Sequence, residues 1–156
     1  MASGTPDLLR GLSEAQSEQL LALAERVRLA SGQRLFDLGE EARSLHLIER
    51  GRIVLTLPMQ VQGQNQDVFV EERLPGQALG WSALIPPHRY TLKATAQLDT
   101  DLLALPREAL LAHFAAQPVV GSLVTRNVAA LMGQRLQVFQ TMWLREMQRA
   151  IGLRHP

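Results

Sequence analysis

The stretch Leu79–Ala96, LGWSALIPPHRYTLKATA, decides how the rest of the chain is read. It gives in turn a strand end, a glycine, one helical turn, a proline stop, a basic loop and a new strand. That order places backbone N–H groups and the guanidinium of Arg89 around one small cavity. Free N–H groups at a helix start suit an anion, and an arginine adds a bidentate fork for phosphate. The same residues also make an ordinary turn between two strands. The flanking chain has to choose between them.

Upstream, the sequence alternates at strand period. Arg34–Leu38, Ser44–Glu49 and Arg52–Leu57 read as strands, the last with Ile53, Leu55 and Leu57 on one face. Glycine turns at Gly39 and Gly51 separate them. Pro58–Gln66 (PMQVQGQNQ) is polar and glutamine-rich, so an exposed hairpin loop is expected there. Asp67–Leu74 is the returning strand, with Val68 and Val70 on one face, and Pro75-Gly76 turns into the opening stretch. Downstream, Asp101–Leu105 forms a last strand. Short strands punctuated by turns indicate a closed or sandwiched antiparallel structure.

Helices flank this β-region. Residues 1–6 read as a loose tail. Ser13 and Gln16 fit a capping box, starting a helix expected to run to about Arg28, with Leu20, Leu21, Leu23, Ala24 and Val27 facing the body and Gly32 ending it. Arg107–Ala115 is a short helix that Pro118 breaks. Residues 119–151 are helical almost throughout, with Val124, Val128, Leu131, Phe139 and Met142 in a stripe widened by Leu136, Val138, Trp143 and Met147. Roughly 30 helical residues span about 45 Å, more than a small β-domain covers. The excess either folds back or self-associates, and a homodimer through this helix is the expectation. Gly133, which costs about 1 kcal/mol against alanine, marks a place for a kink.

Composition bounds the class. The chain has 156 residues, 46% hydrophobic and 20% charged, with a net charge of +1. It is read as one domain, 1–156, divided into a helix and β-roll (8–118) and a long helix. There is no cysteine, which excludes thiol catalysis, disulfides and zinc-thiolate sites. No apolar run approaches the roughly 20 residues of a membrane span, and no signal peptide leads the chain, so a cytoplasmic location is expected.

The order of elements resembles the cyclic-nucleotide-binding domain of the catabolite-activator (Crp/Fnr-like) family of bacterial regulators. The residues that carry the likeness are Leu35-Phe36, Gly39-Glu40, Leu45–Ile48, Gly51–Val54 and Pro75–Gly80, within roughly 8–145. The resemblance implies a mainly β fold with flanking helices: an antiparallel β-roll (double-stranded β-helix, jelly-roll-like) followed by a long C-terminal helix. It also implies a ligand-sensing regulatory domain rather than an enzyme, with a cyclic nucleotide or another small anionic ligand in the opening stretch.

Against the family pattern that stretch departs at its centre. Gly80 and Leu84 match, but the glutamate expected at the ribose 2′-hydroxyl is Trp81, which has a donor and no acceptor. Either the indole fills the cavity or it stacks on a ligand. Ser82 and the N–H groups of Ser82 and Ala83 match the anion-facing turn. Arg89 is the phosphate candidate, yet counting back from Ala96 puts the family's arginine at Tyr90, next to Thr91. A one-residue offset turns Arg89 outward unless the loop bulges. The ligand-binding set is therefore Gly80, Trp81, Ser82, Ala83, Leu84, Arg89, Tyr90 and Thr91. Two readings remain: a sensor with a modified cassette, and a dimeric interaction scaffold that binds no nucleotide.

Other chemistry finds little support. His46, His88, His113 and His155 have no i, i+4 pairing, so no metal site is expected, and His88 reads as a loop histidine. Glu71-Glu72 and Glu40-Glu41 point apart as neighbours. Arg126, Arg135, Arg145, Arg149 and Arg154 read as a solvated face of the last helix. No winged helix-turn-helix follows that helix within the 156 residues, so DNA binding by this chain alone is not expected.

Overall fold

Two four-stranded antiparallel sheets face each other and hold the core between them. The computed structural model describes residues 4–154; the first three residues of the expected tail, and His155, lie outside the described residues. One sheet has the order β1 (Glu25–Leu29), β8 (Thr100–Pro106), β3 (Ser44–Arg50), β6 (Ala78–Leu79); the other has β2 (Arg34–Phe36), β7 (Lys93–Ala96), β4 (Ile53–Val61), β5 (Gln64–Arg73). Leu45, Leu47, Ile48, Ile53, Leu55, Leu79, Leu102 and Leu105 are almost wholly buried; Ile53 and Leu55 alternate at strand period, while β3 is buried continuously over Leu45–Ile48. This is the antiparallel β-roll, followed by a long helix.

Gly51 closes the roll at the β3–β4 turn. Its φ is 96°, and a Cβ there would lie 2.5 Å from the Asp99 carbonyl oxygen and 2.6 Å from Thr100 Cα. Only glycine fits that approach.

Three expectations need correction. The first helix, α1, covers only Glu14–Leu21. The expected capping box is present: Ser13 Oγ accepts from Gln16 N at 3.1 Å, and Ser13 N donates to Gln16 Oε1 at 2.9 Å. Instead of staying helical to Arg28, residues 25–29 leave the helix to pair with β8, Val27 opposite Leu102 and Leu29 opposite Thr100. The glutamine-rich segment is not a loop: β4 and β5 extend through it as a ribbon, and only Gln62 (φ 52°) and Gly63 (φ 78°) make the turn. Two central residues with positive φ match the twist of a two-residue hairpin. Finally, the C-terminal helix shows no break at Gly133, where nothing lies near the missing Cβ.

That helix, α3 (Pro118–Arg154), has 37 residues and a length of about 55 Å. It follows α2 (Arg107–Ala116), and Gly121 lets the two meet: a Cβ there would sit 2.8 Å from Phe114 Cβ. Val120, Val124, Val128 and Leu131 bury themselves against Leu8, Leu9 and the roll. Farther along, Leu136, Trp143, Leu144, Met147 and Ile151 are exposed. One half of the helix is core, and the other half is unpartnered.

Candidate functional site

The opening stretch folds as β6, Gly80 in the left-handed region (φ 84°), then a single 3-10 turn, Trp81–Ala83. A Cβ on Gly80 would fall 3.2 Å from Tyr90 Cε1 and 3.3 Å from both His46 Nδ1 and the Ser44 carbonyl oxygen. Glycine is thus required twice, by its φ and by its neighbours. Ser82 and Ala83 are buried, and Leu84 packs against the core. The Ala83 N–H is consumed inside the turn, donating to the Gly80 carbonyl at 3.1 Å. The Ser82 carbonyl lies 3.0 Å from His88 Nδ1, which orients the loop histidine.

Arg89 and Tyr90 take opposite sides. Arg89 is exposed, bridges Glu41 through the backbone and donates from Nη1 to the Gly39 carbonyl at 3.3 Å. Its guanidinium is not among the pocket's lining groups, which include Tyr90 and Thr91. Tyr90 is buried, stacks on Phe36 with ring centroids 3.7 Å apart, and donates its hydroxyl to the Ser44 carbonyl at 2.8 Å. Burial pushes its pKa up to about 12, partly offset by that hydrogen bond. Position 90 therefore points inward and holds a phenol, while Arg89 points outward.

The cation at this pocket comes from α3. Arg135, expected on a solvated face, is only 8% exposed. Its guanidinium carbon lies 4.4 Å over the Trp81 ring centroid, a cation–π contact. Its Nε donates to Glu71 Oε1 at 2.6 Å, and Nη2 pairs with the same oxygen. Burial lowers the Arg135 pKa, opposed by the Glu71 charge, and the guanidinium stays protonated. With Phe36, Leu55, Trp81, Tyr90, Leu92 and Arg135 around it, the remaining space is about 20 Å³. That is room for one water.

Comparison with known proteins now places the architecture. The cyclic nucleotide-binding domain family matches residues 26–117. The chain belongs to that family. It is 31% identical over 134 residues to the cyclic AMP receptor protein of Thermus thermophilus, which covers 86% of this chain and 58% of that protein. The crystal structure of the Thermus thermophilus catabolite activator protein superposes with a TM-score of 0.73 at 28% identity, over 91% of this chain and 63% of that one. The N-terminal domain of a Streptomyces coelicolor transcriptional regulator superposes with a TM-score of 0.71 at 26% identity, covering 82% of this chain and 89% of that domain. The chain thus spans less than two thirds of the length of both Thermus proteins. These relatives are regulators, and the chain is a regulatory domain of the Crp family rather than an enzyme.

The family's ligand class can be tested against this cyclic nucleotide-binding domain's own side chains. Typical ligand pockets hold roughly 300–1,000 Å³, against about 20 Å³ here. No carboxylate stands at position 81, the arginine of the loop is turned to Gly39, and the cation from α3 is already paired with Glu71.

The cassette of this domain is also fastened from below. Arg73 Nη2 pairs with Asp7 Oδ2 at 3.0 Å, and Arg73 Nε donates to the Ala78 carbonyl at 3.0 Å. Asp7 Oδ1 accepts from Ala78 N at 3.0 Å. Burial raises the Asp7 pKa, and Arg73 opposes the rise. The N-terminal turn carrying Asp7 is tied in turn to α3, where Asn127 Nδ2 donates to the Leu8 carbonyl at 2.8 Å and the Arg10 carbonyl at 3.0 Å. The cassette is therefore joined to α3 twice, through Asp7 and through Arg135.

Glu71, Arg73, Arg135 and His46 were not among the expected site residues. A signal for Arg135 existed: with Val124, Val128 and Leu131 it continues a 4-3-4 spacing along the buried stripe. His46 lies against Gly80 with Nδ1 buried and without a hydrogen-bond partner among the described residues, and desolvation lowers its pKa to about 4. Nothing in the spacing of the histidines announces that.

Proposed function

We propose that this chain is a regulatory module of the cyclic nucleotide-binding fold that operates without a free nucleotide, as a homodimer joined through residues 119–151. The observation that carries the proposal is the filled cassette: Trp81 under Arg135, with about 20 Å³ left over. The homodimer is supported by the unpartnered stripe of α3, Leu136, Trp143, Met147 and Ile151, which share one helical face at i, i+7, i+11 and i+15. Protein contacts in the cytoplasm are its proposed sphere.

A second reading keeps Gly80, Trp81, Ser82, Ala83, Leu84, Arg89, Tyr90 and Thr91 as a site for a small anionic ligand. The observation in its favour is the cation that Arg135 brings to the pocket. It requires the indole to swing out and Arg135 to exchange Glu71 for the ligand.

Isothermal calorimetry of the whole chain with cyclic AMP, cyclic GMP and cyclic di-GMP separates the two. The nucleotide-independent module predicts no heat of binding with any of them. Saturable heat at micromolar concentration with one of them establishes the sensor instead.

A further inference from the structure

The unpartnered half of α3 begins immediately after the buried arginine. Among the described residues Arg135 is the last on α3 whose side chain is buried. Beyond it Val138 and Phe139 pack only partly against the core, and Leu136, Trp143, Leu144, Met147 and Ile151 are exposed. Upstream, α3 is held by Val120, Val124, Val128 and Leu131 and by the Asn127 hydrogen bonds. The last polar fastening between helix and roll is thus Arg135 on Glu71 of β5 and on Trp81 of the cassette.

We propose that Trp81 and Arg135 act as a tethered internal ligand. The indole occupies the cassette, the guanidinium caps it, and Glu71 holds the guanidinium in place. This contact, instead of a diffusing molecule, sets where residues 136–154 point. It rests on the nucleotide-independent reading of the same site. Three features support it. The pair joins the two elements whose relative position matters, the cassette turn and α3. Arg135 is buried and its partners Trp81 and Glu71 are half-buried, where a cation–π contact and an ion pair are screened by salt less than at an open surface. The unpaired alternative would leave a guanidinium buried without a carboxylate, so the helix has one strongly preferred seat.

The absence of cysteine makes the test clean. Arg26→Cys on β1 and Gln148→Cys on α3, both at exposed positions, carry spin labels in the whole chain, diluted with unlabelled chain. Distances are measured by electron-electron double resonance in the reference protein, in Trp81→Ala and in the isosteric Glu71→Gln. The expected result is a narrow distribution in the reference, a broadened or displaced one in Trp81→Ala, and a smaller change of the same sign in Glu71→Gln. Millimolar free indole should restore the reference distribution to Trp81→Ala. Circular dichroism checks folding, and if Trp81→Ala does not fold, Glu71→Gln decides alone. Reference-like distributions in the folded variants overturn the tethered ligand. That outcome leaves the nucleotide-independent reading intact, because the latter stands or falls on calorimetry of the unmodified chain.

Discussion

The Tyr90 hydroxyl donates to the Ser44 carbonyl across 2.8 Å, fastening the end of the cassette loop to strand β3. The inward register position that the family gives to an arginine is therefore held by a phenol engaged with the roll itself. This is the chain's one tyrosine, so its titration is directly visible in ultraviolet absorbance. Its pKa is pushed up to about 12, mainly by burial. The folded state then keeps the proton where the unfolded chain, near pH 10, loses it. Stability tied to Tyr90 is full below pH 10 and falls as pH rises from 10 through 12. The phenolate band should appear near pH 12 and not near pH 10. Tyr90→Phe should lower stability by about 1 kcal/mol, or about 2–4 °C in melting temperature for a domain of this size. A phenolate transition at pH 10 in folded protein would contradict the burial argument.

His46 makes the opposite prediction at acid pH. Desolvation lowers its folded pKa to about 4 from an ordinary 6.5. Between those values the unfolded chain binds the proton and the folded chain does not, so stability rises with pH across that window. Fully developed below pH 4, the loss is at most about 3.5 kcal/mol, at about 1.4 kcal/mol per unit. Denaturant melts at pH 7, 5.5 and 4.5 should show a decline that is shallower in His46→Leu. Parallel curves for the two proteins would rule out His46 as the source.

At Gly51 the effect is steric. Gly51→Ala places a Cβ against the Asp99 carbonyl and Thr100 at a φ of 96°. The backbone conformation alone costs about 1–3 kcal/mol, and the backbone contact adds to it. By comparison Gly133→Ala meets no neighbour and should gain up to about 1 kcal/mol from helix propensity. Chemical denaturation of the two variants gives the signs directly; equal effects would refute the packing account of the β3–β4 turn.

The legible parts of the sequence were those specified locally. Ser13 and Gln16 announce a capping box because both partners lie within one turn, and Ile53 and Leu55 announce a strand because alternation is a neighbour property. Strand β1 was hidden because Glu25–Leu29 follows a helix without a breaker and is defined by pairing with β8, far along the chain. The β4–β5 ribbon was hidden because it runs past the core, so both faces are wet and its composition imitates a loop. At the site, the register count left Arg89 open between an outward side chain and a bulge that turns it in, and the exposed guanidinium on the Gly39 carbonyl takes the outward alternative. Arg135 was missed because a buried arginine depends on a carboxylate from another element, Glu71, which no single segment displays.

The central claim is that Trp81 lies in the cassette as its permanent occupant. The chain has two tryptophans, and Trp143 is 63% exposed on α3, so Trp143→Phe leaves Trp81 as the sole emitter. Its fluorescence should be blue-shifted and poorly quenched by acrylamide. It should stay unchanged when cyclic AMP, cyclic GMP or cyclic di-GMP is added to millimolar concentration. A saturable shift of that emission at micromolar nucleotide would show the indole yielding its place to a ligand and would contradict the claim.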